Sequence, residues 1–149
     1  MIAVLGMDHI YLTVSAMDRS VRFYDHVLVG VLGFRKNEFE LHGERHVNYY
    51  NRQFGIVLRP ASLESGAHNS RSPGLHHLCL RVETSSDVAA VAQELRARGI
   101  DASGPEAYPQ YAPDYVATFF HDPDGIRLEV TNFREERRRR QQHWNDDAG

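Results

Sequence analysis

His9-Ile10-Tyr11-Leu12-Thr13-Val14 and His77-Leu78-Cys79-Leu80-Arg81-Val82 are two copies of one pattern, His-aliphatic-x-Leu-x-Val. Each alternates with the period of two that marks a half-buried strand. Ile10, Leu12 and Val14 point one way, and His9, Tyr11 and Thr13 the other. The second copy splits likewise, with Leu78, Leu80 and Val82 opposite His77, Cys79 and Arg81. A histidine therefore heads the same face of both strands, and the chain reads as an internal repeat.

Outward from each strand the period changes to that of a helix. Ser15 or Asp18 is a plausible cap, and Val21, Tyr24, Leu28 and Val31 then recur at helical spacing up to Gly33. After Ser85 and Ser86, Val88, Val91, Ala92 and Leu95 do the same, closed by Gly99. Three β-like segments follow each helix, near 34–38, 45–50 and 55–59, then near 100–103, 115–120 and 127–132. The reading is one α+β domain over 1–149, built of two β-α-β-β-β modules at 7–60 and 75–132. Between them lies a turn-rich linker at 61–74, and a polar tail follows at 133–149. A curled mixed sheet packs its apolar face on the helices, while the histidine face surrounds a cavity.

The bulk properties exclude more than they name. At 149 residues, 42% apolar and 25% charged, the chain has ordinary globular usage and a net charge of −3. That balance favours neither nucleic acid nor a membrane as partner. The apolar run in MIAVLGMDHI is too short for a signal peptide, and a single cysteine, Cys79, fits a reducing cytosol. A cytoplasmic protein is expected.

The repeat brings His9 and His77 to equivalent places on the cavity face. In Arg127-Leu128-Glu129-Val130-Thr131, alternation puts Glu129 opposite Leu128 and Val130, on the polar side. An acid in mid-strand is costly unless paired or ligated. Two histidines and one glutamate form the open-sided donor set that binds divalent metals such as iron(II), manganese(II), nickel(II) or zinc(II). The bland alternative is that each histidine is a hydrogen-bonded or solvated residue, as most lone histidines on strands are.

Asp8-His9-Ile10, Gly74-Leu75-His76-His77-Leu78 and Phe119-Phe120-His121-Asp122-Pro123-Asp124-Gly125-Ile126-Arg127-Leu128-Glu129 together carry a resemblance. The chain resembles the vicinal oxygen chelate superfamily, which includes glyoxalase I, extradiol dioxygenases, and fosfomycin- and bleomycin-resistance proteins. That resemblance implies paired β-α-β-β-β modules, a metal held by His9, His77 and Glu129, and frequent pairing into homodimers. His76 is expected to point away from the metal. Two departures narrow it. Val57 stands where glyoxalase-like members place a fourth, acidic ligand, and Phe119 stands where the extradiol signature has tyrosine.

Alternation nominates further cavity lining: Tyr11, Val57, Arg59, Cys79, Arg81, Arg127 and Thr131. An arginine fork suits a substrate carboxylate or phosphate, although Arg81 and Arg127 also read as solvated rim residues. Cys79 reads as a reactive thiol or, more simply, a small filler. Tyr115 and Tyr50, with Tyr49 beside it, are candidate proton donors. The arginine-rich stretch 134–140 reads as a solvated terminal helix, because no aromatic interleaves its charge. The expected function is that of a metal-dependent enzyme of the glyoxalase or dioxygenase type, acting on a small oxygen-rich or electrophilic substrate. The alternative is a metal-free protein that sequesters a drug or toxin.

Overall fold

The computed structural model describes residues 2, 4–64 and 66–144. Position 65 of the expected linker and 145–149 of the expected tail lie outside the described residues. The chain forms two compact units, one of residues 1–69 with 122–125, the other of 70–121 with 126–149.

In the first unit β1 (His9–Val14) leads into α1 (Met17–Tyr24), followed by β2 (Arg35–Leu41), β3 (Glu44–Tyr50) and β4 (Gly55–Pro60). The sheet order is β1-β4-β3-β2, with β1 parallel to β4 and the other pairs antiparallel. A parallel pair needs a crossover, and α1 lies on that crossover. The alternation read from the sequence is present. Leu12 and Val14 are buried, while His9, Tyr11 and Thr13 are exposed. Val47, Tyr49, Ile56 and Leu58 join them in the core with Val21, Tyr24, Val27 and Leu28. Burying each such side chain contributes about 1.5–3 kcal/mol.

The helix departs from the expected pattern at both ends. Neither Ser15 nor Asp18 caps it; Ala16 is the N-cap and offers no side-chain acceptor. Ser15 instead gives its backbone N–H (2.9 Å) and its hydroxyl to Asp124, and Asp18 pairs with Arg45 at 2.8 Å. At Asp25 the helix widens into a π-helical stretch, Asp25–Val31, in which the N–H of Leu32 reaches back five residues to Val27 at 3.0 Å. The widened turn buries Val27 and Leu28 together and leaves Val31 only half-buried. Gly33 then closes the helix in the left-handed region, φ 70°.

The second unit repeats the plan with β5 (Leu78–Val82), α2 (Ser85–Ala97), β6 (Glu106–Ala107), β7 (Val116–His121) and β8 (Arg127–Asn132). The order is β5-β8-β7-β6, again mixed, with β5 parallel to β8. Thr84 caps α2. It accepts from the Asp87 N–H at 3.1 Å, while Asp87 accepts from the Thr84 N–H at 2.8 Å. The expected strand at 100–103 is absent, and its place is taken by the two-residue β6. Gly104 turns at φ 54°, where an added Cβ would meet Glu106 N at 2.6 Å, and Pro105 can donate nothing to a ladder. Only Ser103 still binds β7, through Phe119 O at 2.9 Å and the Thr118 hydroxyl at 2.6 Å. The tail forms α3 (Glu135–Gln142), with no buried residue.

Candidate functional site

β8 is an inner strand, and its register sets Glu129 between Cys79 of β5 and Phe119 of β7. The residue is 3% exposed, so both carboxylate oxygens need donors. Tyr115 supplies one, its hydroxyl donating to Oε1 at 2.5 Å. The other, Oε2, lies 3.1 Å from His77 Nε2. Partial burial first, and the bond to Glu129 second, hold the Tyr115 hydroxyl well above its ordinary range, so it stays a donor.

His77 immediately precedes β5 and is half-exposed. Its Nδ1 lies 2.7 Å from Nδ1 of His76. The His76 ring meets that of His77 edge to face at 5.0 Å. One nitrogen of the pair must carry the proton between them. With Nδ1 of His77 protonated, Nε2 is free as a lone-pair donor on the Glu129 side.

Cys79, exposed as a residue, stands beside the same carboxylate. Burial of the thiol, then the Glu129 charge, push it up to about 12. Either cause keeps the group a thiol at neutral pH, which argues against a nucleophile.

In the first unit His9 stands on β1 with Nδ1 2.5 Å from Asp8 Oδ1 and its ring edge-on to Tyr11 at 5.4 Å. It opens on a cavity of about 360 Å³ whose walls include Tyr11, Phe39, Asn48, Tyr50, Phe54 and Val57. Gly55 helps keep the cavity open, because a Cβ there would meet Asn48 Oδ1 at 2.9 Å. That oxygen is buried and has no hydrogen-bond partner among the described residues. Tyr50 thus faces a cavity, whereas Tyr49 is buried and donates to Asp25 at 2.8 Å.

The arginines are placed differently from one another. Arg59 donates to Glu44 Oε2 at 2.7 Å. Arg81 lies over the Phe133 ring at 4.1 Å, and Arg127 over Phe119 at 4.3 Å. Among the described residues no three His, Cys, Asp or Glu side chains of either unit converge as a metal cluster. The second unit brings together two of the three expected ligands, and the first unit holds the other.

Two acids passed over as parts of a turn prove central to the first unit. Asp122 is buried and accepts from the Tyr24 hydroxyl at 2.9 Å. Burial, and then the Asp122 charge, raise that phenol well above its usual range. Asp124 gathers Ser15 and Arg19, the latter at 2.8 Å. No sequence signal pointed to this pairing, because Tyr24 already has Asp25 beside it in the chain while its partner Asp122 lies 98 residues on.

Residues 6–130 match the family described as the Glyoxalase/Bleomycin resistance protein/Dioxygenase superfamily, and the chain belongs to it. It is 28% identical over 130 residues to the virulence protein STM3117 of Salmonella typhimurium, covering 85% of this chain and 83% of that one. A glyoxylase/bleomycin resistance protein/dioxygenase domain from Frankia sp. EAN1pec shares its fold with a TM-score of 0.73 and 24% identity, covering 89% of this chain and 100% of that one. The fosfomycin resistance protein FosX of Listeria monocytogenes, solved with Mn(II) and sulfate, aligns with a TM-score of 0.63 and 14% identity. That alignment covers 91% of this chain and 98% of FosX, and at such identity the likeness is one of fold.

Proposed function

We propose that the chain is a metal-dependent enzyme of the glyoxalase or dioxygenase type, with His77 and Glu129 as two ligands and His9 as the third. The observation that carries this is the His77 Nε2 to Glu129 Oε2 separation of 3.1 Å around a buried carboxylate. Two donors each about 2.1 Å from one ion and roughly at right angles would stand about 3.0 Å apart. The donor chemistry, imidazole and carboxylate, suits iron(II), manganese(II), nickel(II) or zinc(II). FosX, a relative in fold, was solved with Mn(II).

When bound, such an ion supplies Lewis acidity toward substrate oxygens. The chain's own residues do the rest. Tyr115 fixes Glu129 by one oxygen and leaves the other free to ligate, while His76 orients His77 from behind. His9 comes from the first unit of the same chain or of a partner in a homodimer. The cavity beside His9, with Tyr11 and Tyr50 in its wall, receives a small oxygen-rich or electrophilic substrate. Tyr50 supplies a proton donor there. Arg59 turns toward a substrate carboxylate only by releasing Glu44.

The test is metal content by elemental mass spectrometry on wild type and Glu129→Ala, purified without chelator. Stoichiometric metal in the wild type and none in the variant is expected. A wild type that takes up none of the four ions under anaerobic incubation overturns the reading. A second reading, metal-free sequestration of a drug-like molecule, is favoured by the aromatic lining of the same cavity. Ligand binding that survives chelation would support it.

A further inference from the structure

Four residues near the end of the chain line one hollow, three of them on one face of α3. Arg137, Arg140 and Gln141 follow the i, i+3, i+4 spacing that sets side chains in a row, and Trp144 lies two residues beyond the end of α3. With Arg81 of β5 they line a second cavity, about 510 Å³, within the second unit. The other arginines of the helix are engaged. Arg138 pairs with Glu83 at 2.7 Å and Arg139 with Glu135 at 3.0 Å, while Arg134 lies over Tyr115 at 4.6 Å. Arg138 also covers the Phe133 ring at 4.3 Å, whose neighbour is Arg81. The helix is thereby tied down by Arg138.

Arg81, Arg137 and Arg140 have no ion pair among the described residues. Three guanidiniums around one hollow with no carboxylate paired to them among the described residues repel each other and favour an anion between them. Trp144 stands at the same hollow, 69% exposed, which for a large aromatic is an uncovered stacking surface. Gln141 adds both a donor and an acceptor. In the sequence this stretch reads as a solvated terminal helix because no aromatic interleaves the arginines. The segment after α3 supplies one, because Trp144 lines the same hollow as the arginines.

We propose that this cavity is a binding site for a nucleoside phosphate, its phosphates held by Arg81, Arg137 and Arg140 and its base stacked on Trp144. The volume lies within the 300–1,000 Å³ common for small-molecule sites. Guanidinium forks suit phosphate oxygens, and a planar base suits an indole face. The site is independent of the metal reading and survives its failure.

Trp144 is the chain's single tryptophan, so its fluorescence reports on this cavity directly. ATP titrated into the full chain should quench that fluorescence saturably. Arg140→Gln and Arg81→Gln should each weaken binding at least about tenfold, the loss expected for one charge-assisted phosphate contact. Arg140 is exposed, so its variant does not threaten the fold. Arg139→Gln, which removes an equal charge from a paired residue, should leave the affinity unchanged.

Four results would overturn the proposal. One is no quenching at millimolar ATP, and a second is equal weakening by Arg139→Gln, which marks a general charge effect. A third is tripolyphosphate binding as tightly as ATP, which removes the stacked base. The last is a single-stranded oligonucleotide binding far more tightly than ATP, which reassigns the surface to nucleic acid.

Discussion

The two modules share a strand order and differ sharply at one matched position. In the first, Tyr11 of β1 lies in register with Val57 of β4; in the second, Cys79 of β5 lies in register with Glu129 of β8. Val57 is 5% exposed and Glu129 is 3% exposed, so the places are equally closed. Valine there needs no partner, and its module is left with a hollow beside His9. Glutamate there needs two, and draws in Tyr115 and His77. Repeating a fold therefore fixes where a ligand can stand. The side chain at that place decides whether a polar network has to assemble around it.

The largest test of this asymmetry is complementation. His9→Ala and Glu129→Ala should each abolish metal binding alone. Mixing the two proteins, unfolding and refolding them together, distinguishes the source of His9. Recovered metal means His9 crosses between copies, and no recovery means each chain closes its own site. Val57→Glu makes the first module resemble the second. Burying an unpaired carboxylate should lower stability on the order of 3 kcal/mol in chelator. If position 57 faces the same ion, added manganese(II) recovers most of that loss in thermal unfolding. A loss indifferent to metal separates the two positions.

Tyr115→Phe removes the donor on Glu129 Oε1 without removing bulk. Metal affinity measured by competition with a chromophoric chelator should fall about tenfold, as for loss of a group that orients a ligand. An unchanged affinity means Glu129 is held by packing alone. The smallest effects concern the helices. Thr84→Ala should cost about 1 kcal/mol by deleting the capping box, while Ala16→Ser should gain about 0.5–1 kcal/mol by supplying a missing cap. Denaturant unfolding reads both, and equal signs would break the contrast.

Much of this was legible because alternation is a strong signal. The paired His-x-x-Leu-x-Val strands, both crossover helices and Glu129 on β8 follow from periods of two and 3.6. Other features depend on contacts that no local period encodes. The π-helical turn at Asp25–Val31 adds a residue where the sequence still reads as an ordinary helix. The segment 100–103 has strand-like residues, but Gly104 and Pro105 move the pairing to β6. Tyr115 was one of three tyrosines of similar standing. Only its reach to Glu129 separates it from Tyr49, which the core absorbs. Asp122 and Asp124 read as turn residues, and a turn motif does not reveal which partner lies some hundred residues upstream.

That distance has a consequence for the order of events during synthesis. The first unit has all its strands once residue 60 has emerged, yet its core tyrosine still lacks its acceptor. Asp122 and Asp124 arrive only with the last hairpin of the second unit. At about 5–20 residues per second, the wait is roughly 3–12 s. Through that interval the nascent first unit holds Tyr24 without its carboxylate and Ser15 without its anchor. A chain released too early would have every strand of its first unit and still be unable to latch it.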